Sequence, residues 1–266
     1  PVQRGINKLR KELPNDFSQA IKTIGDSQKF FIVTGFFIPK AGTIETDGLS
    51  GAIFLGRALM SLGKQVYYMV DPHSQNILIQ GINSLGFDPE IVFPNFSSDA
   101  CGWIDNADDS ALIAVERPGK GDDGIYRTMK GMKIPAYPLD DIFSIWPKKF
   151  NQVRSISCAD GLNEIGMGKL PRGIIEKDRN IQSAVEVNSL IVSGVADWSA
   201  YGLMCGMSVL CGKDLLPDVN EQEVVLNTIL KAGAVDGITG RRVETVDTLP
   251  LLKHQQKVNS LRSILR

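Results

Sequence analysis

Acidic side chains are the residues of this sequence best placed to do chemistry. Four groups of them lie in glycine-rich stretches. Glu45 and Asp47 sit in AGTIETDGLSG, and Glu116 stands beside Arg117 in AVERPGKG. Asp160, Asn163 and Glu164 share CADGLNEIGMG, and Asp197 lies in SGVADWSAYG. Asp160, Asn163 and Glu164 offer two acids and an amide from one tight loop. Such a group can bind an ammonium, ligate Mg²⁺ through oxygens, or act as general acid and base. An Asx-turn with a helix cap and a solvated glutamate has the same composition. Arg117 has a fork of donors suited to a substrate carboxylate. An ion pair with Glu116 or Asp122 suits it equally.

Several standard chemistries are absent. No GxGxxG follows a strand-like run, and no GxxxxGK[ST] occurs, so neither phosphate-cradling fingerprint is present. The nearest approach to a GxSxG elbow, Gly206-Met207-Ser208, lacks its closing glycine. Cys101, Cys158, Cys205 and Cys211 form no CxxC pair. With only His73 and His254 to join them, a structural zinc site is not expected. Each cysteine stands beside apolar or small residues and is expected to pack as a small hydrophobe in a reducing compartment. The net charge of −1 gives no basic field for nucleic acid or an anionic membrane. No apolar run reaches the roughly eighteen residues of a membrane span. The amino-terminal stretch lacks the apolar segment of a secretory signal. The expected partner is therefore a small molecule, and the expected location is the cytoplasm or an organelle matrix.

These acidic groups need elements to position them. Residues 30–33 form an apolar run of strand character, and residues 52–62 carry Ala52, Leu55, Leu59 and Leu62 at helical spacing. The connection between them holds Thr34, Thr43, Glu45, Thr46 and Asp47 and greatly exceeds the usual length of about 2–6 residues. Further strands are predicted at 65–70, 90–93, 111–115, 153–158 and 189–193. Helices are predicted at 74–85, 139–150, 198–210, 220–231 and 251–265, and an amino-terminal helix over 6–24 breaks at Pro14 and restarts at Asn15 or Asp16. Trp198 opens an apolar helix and is expected to pack there rather than stack on a ligand. The alternation predicts one doubly wound α/β domain over residues 1–266. It should have a mainly parallel sheet of about six strands with helices on both faces. Residues 1–25 form its amino-terminal helical segment and 220–266 its carboxyl-terminal helices. Each acidic group follows a predicted strand, so all four should converge at the carboxyl edge of the sheet.

The stretches VTGFFIPKAGTIETDGLSGA, AVERPGKGDDGIYRTMKG, CADGLNEIGMGK, SGVADWSAYGL, VDGITG and TVDTLP occur in this order. Together they resemble the carboxyl-terminal, glutamate-cyclase-like region of the D-glutamate cyclase family. NEIGMG and the ETDG loop are the most specific. Leu162 stands where the family usually has glycine, Asp197 where asparagine is common, and Thr248 where glycine is common. The resemblance implies a lyase that cyclises D-glutamate to 5-oxo-D-proline with loss of water. It also implies a hydro-lyase-like partner domain, which longer members carry before this region, or a homo-oligomer.

Chemistry and inventory then assign expected roles. Glu45, Asp47, Asp160 and Glu164 are the expected acids and bases. Thr34, Glu116, Arg117, Asn163 and Asp197 are the expected substrate-binding residues. No cofactor is expected to be required. Two alternatives remain beside the cyclase: a Mg²⁺ enzyme for a phosphorylated small molecule, with Asp47, Asp160 and Glu164 as ligands, and a non-catalytic ligand-binding domain that needs a partner.

Overall fold

The computed structural model describes residues 5–93, 109–150 and 152–265. Two helices open it, α1 (Ile6–Lys11) and α2 (Asp16–Asp26), parted near Pro14 as expected because proline has no N–H for a continuing helix. Then come β1 (Lys29–Thr34), a hairpin of β2 (Phe37–Ile38) and β3 (Thr43–Ile44), and α3 (Leu49–Ser61). β4 (Gln65–Met69), α4 (Gln75–Asn83) and β5 (Glu90–Val92) complete the first half. The second half runs through β6 (Ser110–Val115), α5 (Asp141–Lys149), β7 (Arg154–Ala159) and β8 (Ser189–Val192). It ends with α6 (Ala196–Cys211), α7 (Val219–Ala232), a hairpin of β9 (Thr245–Val246) and β10 (Leu249–Pro250), and α8 (Leu251–Arg262).

Six strands pair in the order β5-β4-β1-β6-β7-β8, every pair parallel. The chain starts mid-sheet, winds outward to β5, then returns beside β1 and winds outward to β8. The order therefore reverses between β1 and β6, the place where open α/β sheets leave a crevice at their carboxyl ends. Thr34 stands level with Val115 across that boundary, so the loops after both strands leave from the crevice.

Side chains alternate between the two faces with the strand period of two. Ala111, Ile113 and Val115 face one core, with residues of α2, α3, α4, α6, α7 and α8. Leu112 and Ala114 face the other, with residues of α1 and α5. The described residues between β7 and β8 contain only short 3₁₀ turns, at Met167–Lys169 and Glu176–Asp178, and no α-helix. That irregular crossover still fills the second core, through Leu162, Ile165, Met167 and Leu170. Buried Gln182 satisfies part of its backbone, donating to the carbonyls of Met167 and Leu170 at 3.0 Å each.

Two local expectations change. Neither Asn15 nor Asp16 caps α2 with its side chain. Asp16 instead accepts from the N–H of Leu190 at 2.7 Å and from Lys169 Nζ at 2.6 Å, which ties α2 to edge strand β8. Cys158 and Cys205 are buried as expected, but Cys211 is exposed, because it ends α6 just before the left-handed Gly212. Cys101 lies outside the described residues. Among the described residues no helix is long and apolar enough to cross a membrane.

Helices α3 and α6 begin side by side at the carboxyl edge, and each supplies a carboxyl acceptor for the other's amino terminus. Asp47, just before α3, accepts from the N–H groups of Ala196 and Asp197 at 3.0 Å each. Asp197, in the first turn of α6, accepts from the N–H of Gly51 at 2.7 Å. Both carboxylates thus lie where helix dipoles and orphan N–H groups favour negative charge. The contact is close enough to require glycine: a Cβ at Gly51 would lie 2.7 Å from Asp197 Oδ1 and 2.9 Å from Asp197 Cα. Gly51→Ala should cost about 1–3 kcal/mol of stability by overpacking this junction. Denaturant unfolding of the variant checks it, and a midpoint equal to wild type would show that the helices can separate freely.

Candidate active site

Four chain segments meet over the β1/β6 crevice and enclose a cleft of about 420 Å³. The first is the β2–β3 hairpin and the residues after it. Glu45 N–H donates to the Phe36 carbonyl at 3.0 Å, and Thr46 N–H to the Val235 carbonyl at 2.8 Å. These bonds fix Glu45 against the segment after α7, where a Cβ on Gly237 would fall 1.5 Å from Glu45 Oε2. Only glycine leaves the Glu45 carboxylate room there.

The second segment leaves β6. Glu116 has a left-handed backbone, φ 46°, which turns the chain sharply at the end of the strand. Gly48 faces it so closely that a Cβ would lie 2.2 Å from Glu116 Cβ.

The third segment follows β7. Glu164 reaches back along its own loop, and its Oε1 accepts from the N–H groups of Asp160, at 3.1 Å, and Gly161. Asn163 donates from Nδ2 to the Arg127 carbonyl at 2.8 Å, which joins this loop to the 128–132 segment. The fourth segment is the β9–β10 turn, where Asp247 and Thr248 both take positive φ, 53° and 66°. Asp236 braces it by accepting from the Thr248 N–H at 2.6 Å and from Thr245 Oγ1 at 2.7 Å.

The deep part of the cleft is acidic. Glu45, Glu116, Asp160, Glu164 and Asp247 all line it, and all are buried. Burial raises the Glu116 pKa well above the ordinary carboxyl value, with the charges of Glu164, Asp160, Asp47 and Glu45 adding to it. Burial also raises Glu164, to about 8, although hydrogen bonds from Glu116 and from the Gly161 and Asp160 amides pull the other way. Oε2 of Glu116 and Oε2 of Glu164 are buried and find no hydrogen-bond partner among the described residues. Two neighbouring carboxyls raised in this way share protons rather than both ionising.

The rim has a different character. Ile38, Met129, Met132 and Ile238 form apolar lips, and the lining cations Lys40 and Lys130 are exposed.

Of the residues singled out from sequence, Glu45, Glu116, Asp160, Asn163 and Glu164 come together in the cleft. Thr34, Asp47, Arg117 and Asp197 lie behind it. Asp47 and Asp197 are the reciprocal helix caps described above. Burial and the Asp47 charge raise Asp197 well above its ordinary pKa. Thr34 is buried at the end of β1, and its Oγ1 has no partner among the described residues.

Arg117 pairs with neither Glu116 nor Asp122. Its Nη1 donates to Asp71 Oδ2 at 2.5 Å and to the carbonyls of Thr34 and Gly35 at 3.3 and 3.2 Å. Its Nη2 donates to the Tyr137 carbonyl at 2.9 Å. The guanidinium thus fastens the ends of β1 and β4 to the β6 loop. Burial raises the Asp71 pKa, but Arg117 and the bonds from Ser74 outweigh it and hold the carboxyl below its usual value.

Asp247 and the apolar lips were not singled out from sequence. The signal for Asp247 was the Asp247-Thr248 pair between apolar residues, which reads as a two-residue hairpin turn. The lips have no such signal, since Met129, Met132 and Ile238 look like any loop hydrophobes.

Two trios have carboxylate oxygens within 4.8 Å of one another, spacing suited to a cation: Asp47, Asp160 and Asp247, and Glu116, Asp160 and Glu164. In the first, Asp47 already accepts from the Gly48, Ala196 and Asp197 amides. In the second, Glu164 Oε1 already accepts from two amides.

Fold and cleft together define an α/β protein with a buried carboxyl cluster at the switch point of a parallel sheet. The model of the family described as D-glutamate cyclase-like, C-terminal matches residues 1–262, and the chain belongs to that family. Human mitochondrial D-glutamate cyclase is 27% identical over 295 aligned positions, which cover 94% of this chain and 47% of the human protein. The chain therefore spans about half the length of that relative. An exopolyphosphatase-related protein from Bacteroides fragilis superposes with a TM-score of 0.42 at 12% identity, over 95% of this chain and 59% of its own.

The raised acids make stability depend on pH with a definite sign. Glu164 titrates near 4.3 when unfolded and at about 8 when folded. Its contribution to stability is thus fully present below about pH 4.3 and is lost as pH rises through 8. Glu164→Gln removes that loss. The variant should gain on wild type across this window and be more stable above pH 8, by at most a few kcal/mol. Melting curves at a series of pH values test this, and parallel profiles for the two proteins would contradict it.

Proposed function

We propose that this chain is a lyase that cyclises D-glutamate, or a closely related amino acid, to 5-oxo-D-proline with loss of water. Family membership supports the reaction class. The observation that carries the reading is the buried pair of Glu116 and Glu164, both raised in pKa and both bearing an oxygen without a partner among the described residues.

The reaction needs such a pair. The substrate's α-ammonium must lose a proton before its nitrogen can attack the γ-carbon. The departing oxygen must gain protons to leave as water. In this reading Glu164 accepts the ammonium proton and Glu116 delivers its own to the leaving oxygen. A pKa near working pH suits a group that must both take and release a proton. Glu45, Asp160 and Asp247 attract the ammonium end. Lys40 and Lys130 receive the α-carboxylate, because Arg117 is committed behind the cleft. Asn163 has one amide N–H beyond its bond to Arg127 for the tetrahedral oxyanion. Folding the substrate so that its own ends meet supplies further acceleration through proximity.

Proton sharing also argues against a required metal. Each cation-sized trio contains a carboxylate already held by backbone amides, and the second contains the proton-sharing pair itself. The three described cysteines are unpaired thiols, which suits the cytoplasm or an organelle matrix.

Mass spectrometry of the purified chain with D-glutamate tests the reaction, and it also tests whether this region acts without the rest of a longer protein. Formation of 5-oxoproline is expected, undiminished by EDTA. Activity that appears only with Mg²⁺ would transfer the acid trios to metal binding. Glu164→Gln should lower kcat by about 10²–10⁴-fold. A rise in KM with kcat unchanged would make Glu164 an ammonium anchor instead.

A further inference from the structure

We propose that the cleft accepts D-glutamate whose γ-carboxyl is joined to an apolar amine, a γ-amide, and cyclises it with release of that amine. The inference rests on the cyclase reading and extends its substrate class. Three observations point to it.

The first is the distribution of charge. Five buried carboxyl groups line the deep cleft, whereas the cations Lys40 and Lys130 stand exposed at the rim. A free γ-carboxylate would enter this acidic space as one more negative charge. Attack by an amine also requires the γ-carbonyl to be neutral, since a carboxylate repels a nucleophile. A γ-amide is neutral on arrival and avoids both costs.

The second observation is the apolar mouth. Ile38, Met129, Met132 and Ile238 line the rim, and Met132 and Ile238 are 44% and 57% exposed. Free glutamate has no apolar group to cover such residues. An apolar substituent on the γ-nitrogen would extend outward from the acids to these lips, and methionine adapts readily to varied apolar partners.

The third is size. At about 420 Å³ the cleft falls within the roughly 300–1,000 Å³ of sites that enclose drug-sized ligands. Glutamate alone is far smaller than such ligands.

The chemistry balances with the groups already described. The α-ammonium gives a proton to Glu164, and its nitrogen forms a bond to the γ-carbon. The bond from the γ-carbon to the amide nitrogen then breaks, with Glu116 protonating that nitrogen as it leaves. The ring nitrogen sheds a second proton, and the released amine ends as an ammonium. No oxidant, reductant or second substrate enters, and no net proton is exchanged.

The test compares three substrates on the purified chain: D-glutamate, D-glutamine and the γ-benzylamide of D-glutamate. D-Glutamine releases ammonia and the benzylamide releases benzylamine, nitrogen leaving groups of similar basicity, so their comparison isolates the apolar group from leaving-group reactivity. The expected kcat/KM for the benzylamide exceeds that for D-glutamine by about tenfold or more, the scale of a well-filled apolar pocket. Replacing the lips by Met132→Ser with Ile238→Ser should reduce the benzylamide-to-glutamine ratio toward one. Both side chains are exposed, so the double variant should fold, and its melting curve verifies that. Turnover of D-glutamate with the benzylamide no better than D-glutamine would overturn this inference and leave the cyclase reading in place. Turnover of none of the three would overturn the cyclase reading and the inference with it.

Discussion

Repulsion among buried carboxyl groups is the constraint on which the rest of this site depends. Glu45, Glu116, Asp160, Glu164 and Asp247 line one cleft, with Asp47 and Asp197 directly behind. Charges so close and so poorly hydrated cannot all persist without compensation. The fold uses two devices. Backbone amides satisfy the oxygens of some acids, as Gly48, Ala196 and Asp197 do for Asp47. Burial pushes Glu116, Glu164 and Asp197 upward, which lets these three keep protons. A set of acids divided in this way contains proton donors and acceptors at the same pH, which is what ring closure with expulsion of a leaving group needs.

The frame that imposes this closeness is rigid for reasons remote from the acids. Arg117 joins the ends of β1 and β4 to the loop after β6, so that the crevice cannot widen without breaking a buried ion pair. Breaking such a pair by removing one partner commonly costs about 3–5 kcal/mol. The crossed caps of α3 and α6 hold the adjoining loops. Left-handed residues Glu116, Asp247 and Thr248 sit at the ends of these supports. Strain of that kind persists only where surrounding structure over-determines the backbone, and here it gathers at the cleft.

Much of the scaffold was legible in the sequence, because the central strands are buried apolar runs and all six strands of the sheet were visible. Alternation with helices then required a parallel sheet, which places every strand-end loop on one edge. That single topological step brought Glu45, Glu116 and Glu164 together before any coordinates. The β7–β8 crossover was less legible, since its packing depends on Gln182 bridging carbonyls distant in sequence. The partner of Arg117 was hidden for the same reason: Asp71 is far away along the chain and close only once β4 lies beside β1. Asp47 and Asp197 read as site acids, because nothing local reveals that each caps a helix belonging to the other's segment. Composition identifies a carboxylate, but only the fold decides whether it faces a ligand or a helix end.

The central claim is that Glu116 keeps its proton at neutral pH while Glu164 titrates close enough to neutrality to exchange one. Carboxyl ¹³C NMR of glutamate-labelled protein, followed from pH 4 to pH 10, observes this directly, with Glu116→Gln and Glu164→Gln supplying the assignments. The account predicts one glutamate carboxyl that titrates near 8 and a second still protonated at neutral pH, both absent from the ordinary range near 4. Titration of every glutamate near 4 would contradict it, because two fully ionised carboxylates in that position could not serve as acid and base.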